Sequence, residues 1–136
     1  MRIMAIDYGD SRTGIAVSDN SAALVGKAWV IFEKSQTVLA GTIASEAVAH
    51  GVGIIVVGYP KNMNGTVGPR AEKSEKLAES IRAQCDIEVV FWDERMTTIS
   101  ANRILNETGQ HGKKRKKKID AVAASLILED YLRSRV

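Results

Sequence analysis

Apolar and polar positions follow two different periods along this chain, and the change of period divides it into strands and helices. Continuous apolar runs rich in β-branched residues predict buried strands, and apolar residues spaced three or four apart predict amphipathic helices. Strands are expected over residues 2–8, 14–18, 28–32, 54–58 and 87–92, and helices over residues 36–50, 70–84, 97–107 and 119–132.

The order of these elements, β-β-β-α-β-α-β-α-α, predicts the fold class. Three leading strands form an antiparallel meander, and later strands alternate with helices, which indicates an α/β domain with a mixed five-stranded sheet flanked by helices. A length of 136 residues suits one domain over residues 1–136. No apolar stretch approaches the ~20 residues that cross a bilayer. The first residues lack a signal-peptide pattern, so we expect a cytoplasmic protein with no membrane partner.

Acidic residues stand at the ends of the predicted elements. Asp7 closes the first strand, Asp93 and Glu94 close the last strand, and Asp120 opens the final helix. Ligands of such sheets bind at the carboxyl ends of the strands, and a charge beside a core strand costs free energy unless it is paired or holds a metal. Converging carboxylates would form an oxygen-rich site for Mg²⁺ or Mn²⁺, the ions used for phosphodiester hydrolysis.

Each of these acids also has a structural explanation. Asp7 can accept hydrogen bonds within the turn that follows it. Asp93 and Glu94 point to opposite faces of a strand, so only one of them readily aims at the site. Glu94 is favoured because its longer side chain suits a ligand beyond the strand end, but Asp93 stays open. Asp120 can be an acid favoured at a helix N-terminus by capping or by the macrodipole.

Glycines are expected to shape the same strand ends. Gly9 and Gly14 keep the turn after the first strand tight and let a phosphate or a metal approach the backbone. Gly58 ends the central strand. Arg12 is placed at the tip of the turn, where it can donate two hydrogen bonds to a phosphate or simply face solvent.

Positive charge is concentrated in one run. Residues 113–118 supply six positive charges, and without them 13 basic residues face 16 acidic ones. We expect this run to be a loop that binds nucleic acid, although a solvated loop without a partner stays open. Lys61 and Asn62 form either further backbone contacts or a plain turn. The candidate nucleic-acid contacts are Arg12, Lys61, Asn62, Arg95, Lys113, Lys114, Arg115, Lys116, Lys117 and Lys118.

Four segments resemble the motifs of the YqgF/RuvX family, a bacterial group with the ribonuclease H-like fold. They are DYGDSRTGIAVSD at residues 7–19, VVGYPKNMNG at 56–65, DERMTT at 93–98 and DAVAA at 120–124, in the order of the family. The resemblance implies a metal-dependent nuclease that matures the 5′ end of pre-16S ribosomal RNA, with Mg²⁺ or Mn²⁺ as cofactor.

The resemblance also implies roles for the acids. Asp7 matches the acid on the first strand, the second acid falls in the pair Asp93 and Glu94, and Asp120 matches the acid on the final helix. Related nucleases often carry a fourth acid on that helix. Here the nearest acids after Asp120 lie ~13–15 Å along it, so the number of metals stays open.

Other functions are compatible with the sequence. One is a Holliday junction resolvase that acts on four-way DNA and needs a symmetric dimer. Another is a non-catalytic RNA-binding module in ribosome assembly. An actin-like nucleotide-binding domain also opens with Asp-x-Gly and a hairpin, but it normally needs two lobes. The expected partners are structured or precursor ribosomal RNA and the assembling small ribosomal subunit, with the protein as a monomer or a homodimer.

Overall fold

The computed structural model of the chain describes residues 1–61, 64–94 and 112–135, with the backbone alone for residues 112–120. The elements are β1 (Arg2–Asp7), β2 (Arg12–Ser18), β3 (Val25–Phe32), α1 (Gln36–Ala49), β4 (Val52–Tyr59), α2 (Pro69–Arg82), β5 (Glu88–Asp93) and α3 (Gly112–Ser134). The helix predicted over residues 97–107 lies outside the described residues. Within the described ranges, no helix has the length and apolar composition needed to cross a bilayer.

The five strands form one mixed sheet in the order β3-β2-β1-β4-β5. β1, β2 and β3 pair antiparallel in sequence, whereas β4 pairs parallel with both β1 and β5. The predicted meander followed by α/β alternation is confirmed. Because β1, β4 and β5 are parallel, their carboxyl ends lie side by side along one edge of the sheet. We call this the carboxyl edge.

Helices cover both faces of the sheet. α1 and α2 pack on one face, where they enclose Met4 and Ile6 of β1. α3 packs on the other face, against Ile3 and Ala5. Side chains alternate between the faces along a strand, so Asp7 belongs to the α3 face.

β2 begins earlier than predicted. Arg12 is the first residue of the strand rather than the tip of the turn. Gly14, predicted both in the turn and as the first strand residue, lies inside the β1–β2 ladder, where it pairs with Asp7. The polar residues at the start of β2 are typical of a loop. Thr13 is nevertheless fully buried, and its hydroxyl lies 3.4 Å from the amide nitrogen of Gly9. Gly9 does keep the turn tight, because a Cβ there would stand 2.1 Å from the carbonyl oxygen of Arg12.

The last helix begins earlier than predicted. α3 starts at Gly112 and contains residues 113–118, which the sequence analysis assigns to a loop. Lysine and arginine are good helix formers, so a run of positive charge does not by itself interrupt a helix. Asp120 therefore lies eight residues after the first residue of α3, and its interpretation as an acid at the helix N-terminus is wrong.

Candidate active site

The carboxyl groups of Asp7 and Glu94 meet at the carboxyl edge. Asp7 is the last residue of β1, and Glu94 directly follows β5. Their side chains are hydrogen-bonded to each other, which requires a proton on one of them. Val90 and Trp92 pack into the core beneath α3, so alternation along β5 also brings Glu94 to the α3 face. The structure thus brings together two of the acids that the sequence singles out.

Gly58 makes room for this contact. It lies on β4, the strand between β1 and β5. A Cβ at this position would stand 2.6 Å from Oε1, 2.7 Å from Cδ and 2.9 Å from Cγ of Glu94. Non-bonded atoms do not approach that closely. The side chain of Glu94 therefore occupies the space that any residue other than glycine would fill.

Asp93 takes a different direction from Glu94. It lines a cavity of about 370 Å³ whose other lining residues are Tyr59, Lys61, Glu75 and Phe91. Adjacent residues of a strand face opposite sides, and here Glu94 rather than Asp93 joins Asp7.

The carboxyl group of Asp7 resists ionisation. Burial raises its pKa well above the ordinary value of 3.8, and the hydrogen bond and the negative charge of Glu94 raise the pKa further. The positive charge of Arg70 acts in the opposite direction. Asp7 keeps some exposed surface as a residue, but its carboxyl group lies among protein atoms. Two carboxyl groups in contact cannot both ionise at low cost, so the pair holds a proton or attracts a cation.

Removing the ionisable group at position 7 is expected to stabilise the metal-free protein at neutral pH. The pKa of Asp7 is raised in the folded state, so its carboxyl group makes its full contribution to the free energy of unfolding below the ordinary pKa of 3.8. That contribution is lost as the pH rises through the pKa of the folded state. Asp7→Asn keeps the shape and donates an N–H to Glu94 without a proton cost. We expect a higher melting temperature at pH 7, by about 4 °C for each kcal/mol recovered. Thermal denaturation in EDTA should show this gain shrinking towards pH 4; a gain independent of pH would contradict the explanation.

Arg70 is a site residue that the sequence analysis misses. Its Nη2 donates a hydrogen bond to the carbonyl oxygen of Tyr8 at 3.2 Å, and its Nη1 lies 3.9 Å from Oδ2 of Asp10. Arg70 therefore holds a positive charge beside the acid pair. In the sequence it is one of many charged residues on an exposed helix. The only local signal is the preceding Pro69, which marks the first turn of α2.

The other predicted site residues are only partly described. Arg12 is half-buried at the start of β2. Lys61 lies over the ring of Tyr59, in the cavity that Asp93 lines. Asp120 belongs to α3, the helix on the face of the acid pair, but its side chain lies outside the described residues. The same holds for Asn62, Arg95 and the side chains of residues 113–118. Among the described side chains, no three His, Cys, Asp or Glu residues are grouped to hold a metal ion.

The fold is shared with known resolvases over the full chain. RuvC of T. thermophilus, solved in complex with a Holliday junction substrate, has a TM-score of 0.61 at 12% identity and covers 100% of this chain and 97% of its own. The Fowlpox virus resolvase, solved with Holliday junction DNA, has a TM-score of 0.62 at 12% identity and covers 100% of this chain and 99% of its own. At these identities the likeness is one of fold, the ribonuclease H-like fold.

Fold and family together define the class of this protein, a ribonuclease H-like nuclease. The chain belongs to the RuvX family, described as "RuvX: Holliday junction resolvase", which it matches over residues 1–134. A relative from Acetivibrio thermocellus named "Putative pre-16S rRNA nuclease" is 43% identical over 137 residues, or 99% of this chain and 97% of the relative. A relative of the same name from Caldanaerobacter subterraneus is 43% identical over 136 residues, which cover 99% of this chain and 98% of the relative.

Proposed function

We propose that this nuclease is metal-dependent and acts on precursor ribosomal RNA, in maturation of the 5′ end of pre-16S ribosomal RNA. The observation that carries the metal dependence is the buried, hydrogen-bonded pair of Asp7 and Glu94 at the carboxyl edge. The name of the relatives, which match almost the whole chain, supports the choice of RNA.

The acid pair suits a divalent metal ion. Both side chains offer carboxylate oxygens, the donors that Mg²⁺ and Mn²⁺ prefer. The raised pKa of Asp7 shows that this carboxyl group favours a bound proton. A metal cation would take the place of that proton. Asp7 and Glu94 would hold the ion, with Asp120 as the proposed third acid. When bound, such an ion supplies an activated water and stabilises the leaving oxygen.

The surrounding residues position the substrate and the acids. Gly58 leaves the space that lets Glu94 lie beside Asp7. Arg70 presents a guanidinium group at the same edge, where a phosphate would approach. Arg12, at the start of β2, is a further proposed phosphate contact.

The basic run at residues 113–118 is proposed to bind the RNA backbone. It lies in the first turns of α3, the helix on the face of the acid pair. Lys61, Asn62 and Arg95 are proposed as further contacts. Such contacts fix the position of a nucleic acid without reading its sequence. The assembling small ribosomal subunit is the proposed setting in which the precursor RNA is met.

A cleavage assay tests this function. The purified protein is incubated with Mg²⁺ or Mn²⁺ and a labelled RNA carrying the 5′ leader of pre-16S ribosomal RNA, an unrelated single-stranded RNA or a four-way DNA junction. We expect metal-dependent cutting of the leader that Asp7→Asn lowers by more than about 100-fold, because loss of outer-shell partners alone costs ~10–100-fold. Asp86→Asn, an exposed acid in the loop before β5, is the matched control.

Each result of this assay has a distinct meaning. Cutting of the four-way junction in preference to the RNA would favour a resolvase, which needs a homodimer to make paired cuts. Tight RNA binding without cutting would favour a non-catalytic RNA-binding module. Cutting that persists in Asp7→Asn would overturn the assignment of the acid pair.

A further inference from the structure

An aromatic cavity lies on the other side of β5 from the acid pair. Its lining residues are Tyr59, Lys61, Glu75, Phe91 and Asp93, and its volume is about 370 Å³. The rings of Tyr59 and Phe91 meet edge to face, with centroids 5.0 Å apart and planes at 61°. Phe91 remains 37% exposed. We call this the Tyr59–Phe91 cavity.

Charged groups surround the two rings. The Nζ of Lys61 lies 6.0 Å from the centroid of the Tyr59 ring, and the guanidinium carbon of Arg82 lies 5.8 Å from that of Phe91. The hydroxyl of Tyr59 donates a hydrogen bond to Glu75, which fixes the ring against α2. The cavity thus combines flat apolar surfaces, two cations at its margin and two carboxylate side chains.

This combination of rings and charges favours a flat, uncharged group in the cavity over an anion. The carboxylates of Glu75 and Asp93 offset the positive charges of Lys61 and Arg82, so the cavity has no excess positive charge that would favour a phosphate inside it. A nucleobase is uncharged and flat, so it can stack on an aromatic ring, and its N–H groups can donate to carboxylates. The volume is in the range of small-ligand pockets, about 300–1,000 Å³.

The position of the cavity relates it to the acid pair. Asp93 lines the cavity, and the next residue, Glu94, contacts Asp7. A nucleic-acid strand that crosses the end of β5 would therefore pass from one to the other. Its phosphate would lie beside Glu94 while a neighbouring base lies beside Asp93.

We propose that the Tyr59–Phe91 cavity receives one unpaired base of the substrate, next to the phosphodiester that is cut. This inference rests on the proposed function only for the location of the cut; base binding itself does not depend on it. A base held in a duplex cannot leave its partner to enter the cavity without a cost in free energy. The substrate is therefore single-stranded at the cleavage site.

Binding measurements on proteins that also carry Asp7→Asn separate the cavity from catalysis. The probe is a short uridine strand with one 2-aminopurine, used alone or as a blunt duplex with its complement. We expect Phe91→Leu to weaken binding of the single strand by about 5-fold or more, since stacking on an aromatic ring is lost. Binding of the duplex should change little, and Phe91→Tyr should retain tight binding. The 2-aminopurine fluorescence should be quenched on binding to the unaltered cavity.

The matched control is Phe32→Leu, because Phe32 is 62% exposed on β3 at the opposite edge of the sheet. Three results would each overturn the proposal. In the first, Phe91→Leu binds the single strand as tightly as the protein with Phe91. In the second, Phe91→Leu loses as much affinity for the duplex as for the single strand. In the third, Phe32→Leu loses as much affinity as Phe91→Leu. If Phe91→Leu does not fold, the test is the 2-aminopurine fluorescence of the strand bound to the protein with Phe91. Unquenched emission from that bound strand would contradict stacking. Failure of the proposed function would show separately, as wild-type protein that binds the strand but never cuts the RNA that carries the 5′ leader.

Discussion

Glu94→Gln is expected to lower RNA cleavage by more than about 100-fold, and Asp93→Asn far less. The two acids are neighbours in the sequence, yet Glu94 contacts Asp7 and Asp93 lines the Tyr59–Phe91 cavity. Glutamine keeps the length and shape of Glu94 but removes the charge that would hold the proposed cation. Asp93→Asn leaves both members of the acid pair in place and alters the cavity on the other face. Single-turnover cleavage at saturating Mg²⁺ or Mn²⁺ measures both effects.

Glu88→Gln is the matched control for this pair. Glu88 is exposed at the opposite end of β5. Glu88→Gln therefore makes the same chemical change as Glu94→Gln on the same strand, but away from the carboxyl edge. We expect wild-type cleavage from it. Equal losses in Asp93→Asn and Glu94→Gln would mean that the strand end, rather than one carboxylate, is required. A larger loss in Asp93→Asn would reverse the assignment.

Gly58→Ala is expected to lower cleavage by about 100-fold while the protein stays folded, because a misplacement of 1 Å can have an effect of that size. The added methyl group would stand 2.6 Å from Oε1 of Glu94, so this side chain must leave its place beside Asp7. The atoms in the way belong to the flexible side chain of Glu94, so we expect a rotation of that side chain, rather than a shift of the backbone, to relieve the clash. The melting temperature should therefore stay the same or rise slightly, since alanine also lowers the entropy of the unfolded chain.

Two further measurements sharpen this expectation. Gly26→Ala is the control, because a Cβ on that exposed strand glycine meets its nearest atom at an ordinary 3.4 Å. Burial is the main cause of the raised pKa of Asp7, and Glu94 raises that pKa further. Displacing Glu94 removes its contribution, so the pH dependence of stability should weaken in part in Gly58→Ala. Full activity in Gly58→Ala would show that Glu94 can serve from another position.

The sequence predicts the sheet and the edge at which the acids meet. The apolar runs before Asp7, Gly58 and Asp93 are long and bounded by turn residues, so their ends are readable. Parallel pairing then brings those ends together. The preference for Glu94 over Asp93 also agrees with the contact to Asp7. That preference came from side-chain length, whereas in the structure the alternation of β5 and the empty position at Gly58 decide it.

Features that depend on tertiary contacts were not readable. Arg12 and Thr13 belong to β2 because β3 pairs with them, although their polarity is typical of a turn. The start of α3 at Gly112 was hidden by a run of positive charge that local patterns assign to a loop. Arg70 reaches the site from α2 through a contact with Tyr8 that is distant in sequence. Apart from Pro69, which precedes Arg70, the local sequence gives no signal for these features.

The acid pair joins the first strand of the sheet to its last. While the ribosome makes this chain, Asp7 emerges early, but Glu94 is added only after β4 and β5 have been synthesised. A contact between residues so distant in sequence is slow to form, because a long loop must close first. An incomplete chain therefore has half of the acid pair and none of its proposed chemistry. An enzyme with the proposed function would thus be synthesised inactive, in contact with the ribosome that makes it.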